Sequence, residues 1–429
     1  MTINHLLNKA VFGALVALIM ITAIPYGTVE PWWKAAFVCA VFAICIVAII
    51  ESLMSGETRI EGGSILLPML ALSALAFVQT ISSGSSDAWN AISADPFQTR
   101  FFALQVLALT AFLALLYRYA GTERQIRVLV YTIIGVAIAS AVFGILRHTS
   151  QQQTGFVLPL LKQNQGYGQF INKNHFAYLM EMAFGLGLGM LLGGGKRDRV
   201  VIHVALLLPI WIGLVLANSR GGILAMLAQV VVAALLLLSF QSSNVARSAA
   251  LKVVLILVLV AGVLVGTFWV GGDRLATNFE AATNEFNADA SRARVSRNEI
   301  WRASVKMFAA HPILGVGLGG YWTGITAYHD ASGLMTPQEA HNDYLELLSS
   351  AGVIGFAIGV WFVVAVVRKI RANGIEGAMR LGAVIGLAGV AAHSLVDFGL
   401  HIMVNAVVFL ALIMIATKTE PQFRRMKTG

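Results

Sequence analysis

What most constrains this chain is the recurrence of long apolar runs, at residues 10–26, 35–50, 64–82, 101–117, 128–146, 175–192, 200–217, 221–240, 252–271, 346–367, 381–399 and 401–416. A run of roughly 17 to 24 residues, wound as a helix at about 1.5 Å per residue, crosses the ~30 Å hydrocarbon core of a bilayer. Backbone polar groups must be paired inside that core, so each run is expected to be a helix. With 58% of the 429 residues hydrophobic and only 12% charged, the chain has too little polar surface for a soluble globule. The expectation is an all-α polytopic integral membrane protein of about twelve transmembrane helices. Residues 1–271 would hold nine spans, 272–345 one long loop carrying short amphipathic helices, and 346–429 three spans and a tail.

The first run has only Lys9 ahead of it and no small-x-small cleavage site, so it reads as a retained span. Cys39 and Cys45 lie six residues apart in the second run, too far to bridge on a helix and without partners at metal spacing. Lys and Arg set the orientation. With the N-terminus inside, Arg118, Arg124, Arg127, Arg368, Lys369, Arg371, Arg380 and the basic tail all fall on the inner side. Topology thus accounts for most of the net charge of +9, which is no argument for nucleic acid.

The polar residues that break this pattern lie on the outer side. Asn172-Lys173-Asn174-His175 opens the sixth run, where free backbone N–H groups and the helix dipole suit an anion or a sugar. Glu181, two turns on, is either functional or hydrogen-bonded to a neighbouring helix. Arg220 sits in the tight turn Ala217-Asn218-Ser219-Arg220-Gly221-Gly222, facing either an anionic partner or lipid phosphate. In the long loop, Ile300, Trp301, Val305 and Phe308 recur at helical spacing beside Arg292, Arg294, Arg297 and Arg302. They predict an amphipathic surface helix that stops at His311-Pro312. Gly315-Val316-Gly317-Leu318-Gly319-Gly320 has no βαβ context and reads as a flexible hinge. His341-Asn342-Asp343 stands where the loop re-enters the membrane, and two readings remain open: a helix cap, or a histidine base with orienting partners. His393 and Asp397, four apart, are expected to share one helix face as a buried pair.

One topology thus brings arginines, which fork onto phosphate oxygens, and a histidine, which moves protons near neutral pH, to the same lipid boundary. These blocks resemble the O-antigen ligase and polymerase family. The likeness rests on His341-Asn342 followed by Gly352 and Gly355, on Phe170-Ile171-Asn172-Lys173-Asn174-His175, and on Asn218-Ser219-Arg220-Gly221-Gly222. It extends to Arg297 four residues before Trp301, His311-Pro312, His393-Ser394-Leu395-Val396-Asp397-Phe398 and Gly27-Thr28-Val29-Glu30-Pro31-Trp32. The resemblance implies a membrane glycosyltransferase at the periplasmic face of the bacterial inner membrane, moving a glycan from an undecaprenyl-diphosphate carrier to an acceptor hydroxyl. That acceptor would be a lipid A-core sugar in lipopolysaccharide assembly, another lipid-linked repeat, or a protein side chain. It further implies His341 as the catalytic base, with Arg220, Arg297, Lys173 and Asn342 binding the diphosphate or substrate and Asn172, Asn174, His175, His393 and Asp397 in support. Inversion at the anomeric carbon without metal or cofactor is also implied. A transporter would instead show internal repeats and mid-membrane ionisable groups.

Overall fold

The computed structural model describes residues 3–56, 61–82, 91–150, 158–162, 166–193, 197–239, 297–329 and 337–419. Among these residues no strand forms. The helices are α1 (Ile3–Ala23), α2 (Pro31–Ser55), α3 (Gly63–Gln79), α4 (Pro96–Tyr119), α5 (Glu123–Thr149), α6 (Lys173–Leu192), α7 (Arg197–Leu216) and α8 (Arg220–Ser239). After the long loop come α9 (Arg297–Ala310), α10 (Tyr321–Ile325), α11 (Asp343–Asn373), α12 (Ala378–His393) and α13 (Met403–Thr417), with a 3₁₀ turn at Gly399–His401 before the last. Eight of the apolar runs become α1 to α8 and three become α11 to α13, while the run 252–271 lies outside the described residues. Six helices (α1, α2, α4, α5, α6 and α11) are long and apolar enough to cross a membrane, and α3, α7, α8, α12 and α13 are shorter apolar helices. The protein is a multi-pass membrane protein.

Local chemistry sets several helix starts. Proline opens α2 and α4, where its missing N–H is not needed. Asp95 accepts from the Gln98 N–H, and Thr122 with Gln125 forms a capping box on α5. Cys39 and Cys45 are both free, Cys39 on an exposed face.

The bundle is built around α6, every residue of which from His175 to Leu192 is buried. Its tightest neighbour is α12. Gly185 and Gly189 of α6 lie against Gly386 and Gly382 of α12 so closely that a methyl group on Gly185 or Gly189 would collide with the facing glycine's backbone. This is the small-residue seam by which helices pack in lipid, where dispersion contacts rather than water release drive association.

The helix α11 is broken. Gly352, inside it, adopts φ 62°, ψ −165°, a conformation that glycine tolerates and other residues rarely do. Into the break fits the segment 312–317: the Val353 N–H donates to the Pro312 carbonyl (2.8 Å), and the Gly317 N–H to the Ser350 carbonyl (2.9 Å). The glycine segment expected to be a hinge is therefore a packed crossing. Leu318 N–H donates to Gln79 Oε1, Gly319 N–H to Thr99 Oγ1, and side chains on Gly315 or Gly317 would run into Ser350 or Ser93. A helix, α9, does precede His311-Pro312, but of the apolar residues that predicted it only Ile300 is buried, beside Ala303, Ser304 and Met307, while Trp301 and Phe308 are half-buried and Val305 is exposed.

Candidate functional site

The site is assembled at the end of the bundle where α6, α8, α11 and α13 begin and α12 ends. His341 precedes α11 with φ 52°, a left-handed conformation costly for a residue with a side chain. The helix cap is its neighbour: Asn342 Oδ1 accepts from the Leu345 N–H (3.0 Å), while Asn342 Nδ2 donates to the Leu395 carbonyl (3.0 Å). Asn342, expected to bind substrate, is thus engaged in the fold through both polar atoms. His341 is not the cap.

Three more bonds clamp the start of α11 to the end of α12. Asp343 N–H donates to the Ser394 carbonyl (3.0 Å), Ser394 Oγ to Asp343 Oδ2 (2.7 Å), and the Tyr344 hydroxyl to the Ala391 carbonyl (2.9 Å). The clamp brings His341 Nδ1 to 3.3 Å from Asp397 Oδ1. Asp397 also accepts from the Phe398 N–H (2.9 Å) and from Asn174 Nδ2. Burial pushes its carboxyl up, but the hydrogen bond with His341 and the neighbouring His175 ring outweigh burial and hold it at about 2. Facing a carboxylate, Nδ1 carries the proton and donates, which leaves a lone pair on Nε2. The side chain of His341 is 31% exposed and that of Asp397 1%.

His393 and Asp397 do not pair as expected. The Asp397 N–H still donates to the His393 carbonyl (3.1 Å) just past the end of α12, but the side chains take different partners, and His393 Nδ1 meets Glu181 Oε2 at 2.8 Å, fully buried. This is the inter-helix partner open to Glu181. Tyr178 stacks on the His393 ring with centroids 4.0 Å apart.

From α6, Asn172 caps the helix by accepting the Asn174 N–H (2.9 Å), and Asn174 Oδ1 accepts from Ser219 Oγ (2.9 Å). Lys173 Nζ donates to the carbonyl of Asn218 (2.8 Å), itself in a left-handed conformation at φ 50° immediately before Ser219 and Arg220. His175 is buried, its ring edge-on to Phe398 at 4.9 Å.

Arg220 and Arg297 line one cavity of about 210 Å³ together with Asn298, Trp301 and Val396. Trp301, one turn along α9 from Arg297, donates Nε1–H to the Ala340 carbonyl (3.0 Å), which ties the arginine helix to the residue before His341. Of the arginines crowding this part of the sequence, Arg302 is exposed outside that cavity, and Arg292 and Arg294 lie outside the described residues.

Also against Phe398 stands a histidine, His401, that sequence reading did not single out. The His401 ring is edge-on to Phe398 (5.9 Å), with Nδ1 3.3 Å from Glu339 Oε2 and Nε2 3.5 Å from Glu346 Oε1 and 3.7 Å from Asp343 Oδ1. Burial lowers the basicity of this imidazole, but Glu346 and Glu339 outweigh it and raise His401 to about 10. Burial acts against Glu339 in the same way, and its pairing with His401 holds it down. Among the described residues, Glu339, Glu346 and His401 bring one ligand atom each within 4.8 Å of one another, spacing that could suit a metal ion. Each His401 nitrogen faces a carboxylate in this structure, an arrangement in which an imidazolium is held among acids. The signal that could have found the cluster is the excess of ionisable residues where the apolar runs begin.

Compared with known families, the part of the chain that holds Arg220, Arg297, His341 and the Gly352 break is the part that matches. Residues 204–360 match the O-antigen ligase family. Together with the apolar helices, this makes the protein a membrane enzyme of the glycan-transferring kind. No curated protein matches the chain. Lys173, His393 and Asp397 fall outside the matched residues, and the fold alone carries them to the site.

Proposed function

We propose that the protein transfers a glycan from a polyprenyl-diphosphate carrier to an acceptor hydroxyl. The observation that carries this reading is the left-handed His341 whose Nδ1 rests on a buried Asp397 carboxylate, beside a cavity lined by two arginines. Nε2 takes the proton of the acceptor hydroxyl as its oxygen bonds to the anomeric carbon. The bond from that carbon to the phosphate oxygen breaks, the carbon inverts, and the diphosphate leaves with the electron pair. Arg220 and Arg297 meet the developing charge as bidentate donors, and Lys173, which has two further donors beyond its bond to Asn218, adds a third cation. Asp397 holds the imidazole tautomer and supports the imidazolium that forms. No step requires a metal.

The basic ends of α4, α5, α11 and α12, with Arg118, Arg124, Arg127, Arg368 and Arg380, lie at the opposite end of the bundle. By the inside bias of Lys and Arg that end is cytoplasmic, which supports a site facing the periplasm of a bacterial inner membrane. The His341-Asn342 and Gly352-x-x-Gly355 pattern supports a ligase-like reaction over a polymerase or a protein glycosyltransferase.

The test is purified protein in lipid nanodiscs given an undecaprenyl-diphosphate oligosaccharide and, in separate arms, a lipid A-core, a lipid-linked repeat and a peptide acceptor, with and without EDTA. Transfer to one of them that survives EDTA is expected. Absence of transfer to all three overturns the reading, and loss of transfer only with EDTA overturns its metal independence.

A further inference from the structure

Two consecutive residues at the start of α6 reach into the turn that carries Arg220. Lys173 Nζ holds the Asn218 carbonyl (2.8 Å), and Asn174 Oδ1 accepts from Ser219 Oγ (2.9 Å). Ser219 is fully buried and stands at the N-cap of α8, where its Oγ accepts the Gly222 N–H (3.1 Å). A methyl group on Gly222 would collide with Ala177 of α6, one turn on from Asn174. The start of α8, and with it the backbone of Arg220, is thus docked on α6.

The other polar atom of the Asn174 amide serves the base. Its Nδ2 donates to Asp397 Oδ2, while Asp397 Oδ1 takes the Phe398 N–H (2.9 Å) and meets His341 Nδ1 (3.3 Å). Donors and acceptors fix one direction along these bonds. The Asp397 carboxylate only accepts, so Asn174 presents its NH₂ there and its carbonyl to Ser219. Ser219, which accepts from the Gly222 N–H, gives its hydroxyl hydrogen to Asn174. The hydrogen bonds therefore run unbroken from the backbone of α8 through Ser219, Asn174 and Asp397 to His341.

The helix α6 does not need the Asn174 side chain for itself. Its first turn is capped by Asn172, which accepts the Asn174 N–H (2.9 Å). Both polar atoms of the Asn174 side chain go instead to other segments, 45 and 223 residues away in the chain. An amide is the group that suits both partners. Aspartate would keep the bond to Ser219 but set two carboxylates face to face, and leucine would serve neither.

We propose that Asn174 is a positioning residue for the transfer reaction: acting through Ser219 on Arg220 and through Asp397 on His341, it fixes the diphosphate-binding arginine and the base relative to one another. This inference rests on the glycan-transfer reading above and adds the residue that couples its two halves. Without Nδ2, the Asp397 carboxylate keeps only the partners on Oδ1 and can turn about its Cβ–Cγ bond, which loosens His341. Without Oδ1, the turn before Arg220 loses one of its two side-chain ties to α6.

The experiment uses the full chain in nanodiscs, an undecaprenyl-diphosphate oligosaccharide as donor, and the acceptor that the wild type glycosylates. For Asn174→Ala, kcat is expected to fall and donor KM to rise, each roughly tenfold, the scale of one buried hydrogen bond lost. Ser219→Ala, which cuts only the arginine side, should raise donor KM and leave kcat nearer the wild type. In the double variant the losses should fall well short of the product of the two, because both changes cut one chain. Wild-type kcat and KM in Asn174→Ala, or losses that multiply, overturn the proposal.

A second readout needs no turnover. In nitrogen NMR of protein labelled at histidine, at a pH where the ring is neutral, the His341 signals are assigned by their absence in His341→Asn. They should show one Nδ1–H tautomer in the wild type and a mixture in Asn174→Ala; an unmoved tautomer overturns the proposal. If Asn174→Ala does not fold, the isosteric Asn174→Asp, which removes only the donor to Asp397, must lower kcat and shift the His341 signals, and wild-type values for both overturn the proposal. Should the wild type glycosylate no acceptor, the glycan-transfer reading fails, and the tautomer still decides whether Asn174 holds the imidazole.

Discussion

The helices α6 and α12 meet in two ways along one interface. Toward one end, Gly185 and Gly189 pack on Gly386 and Gly382 with no space for a side chain. Toward the other, the contacts are polar: Glu181 to His393, and Asn174 to Asp397 just beyond the end of α12. The difference shows where precision comes from. A glycine seam is short-range and unforgiving, so it fixes the helix separation. The polar contacts, which lipid would not satisfy, can then be held at hydrogen-bond distance. The seam needs no chemistry, and the chemistry needs the seam.

The sharpest way to test that division is His341→Asn. Asn342 caps α11, so removing the imidazole leaves the cap and the seam in place. Transfer by the purified variant is expected to fall by on the order of 10² to 10⁴, with donor binding and thermal stability unchanged. Full transfer would return His341 to a structural role.

Asp397→Asn comes next, with an expected loss on the order of 10², because the amide no longer fixes Nδ1–H and the imidazole can turn its lone pair away from the acceptor. The pH–rate profile, which a purely structural change would leave unmoved, should shift along with kcat while KM for the donor stays near wild type.

Gly189→Val acts on the seam instead. Its side chain meets the Gly382 backbone, and overpacking of this kind costs about 1–3 kcal/mol. The melting temperature should drop in detergent, and whatever protein remains folded should lose activity because Asn174 and Asp397 move apart. A variant with normal stability would show that the seam does not set the separation.

Arg220→Lys keeps a charge in the donor cavity but loses the fork. A roughly tenfold loss in kcat/KM, about 1.4 kcal/mol, with normal expression is expected, and wild-type turnover would leave Arg220 as a lipid-facing anchor.

The smallest effect is a pH dependence in the acidic cluster. His401 is raised to about 10 in the fold, above its ordinary value of about 6.5, so its contribution to stability is complete below pH ~6.5 and is lost as pH rises toward 10. Melting curves of the wild type should decline over that window relative to His401→Gln. Parallel curves would mean that the cluster holds no imidazolium.

Much of this protein was legible in its sequence because bilayer physics is local: a run of apolar residues must become a helix wherever it lies in the chain, and Lys and Arg must sort to one side. Residues such as Arg220, Arg297 and His341 stood out for the same reason, being costly groups at the rim of apolar runs. Partners were another matter. His393 and Asp397 share the i, i+4 spacing, but their side chains take different partners, each more than fifty residues away. The glycine segment 315–320 has the composition of a hinge, but its backbone is taken up by the break at Gly352 in another helix. Sequence determined which groups the membrane would hold at its rim. Only the tertiary structure, through the seam of α6 and α12 and the clamp at Asp343 and Ser394, decided which of them touch, because a hydrogen bond between distant residues depends on helix separations that no local pattern encodes.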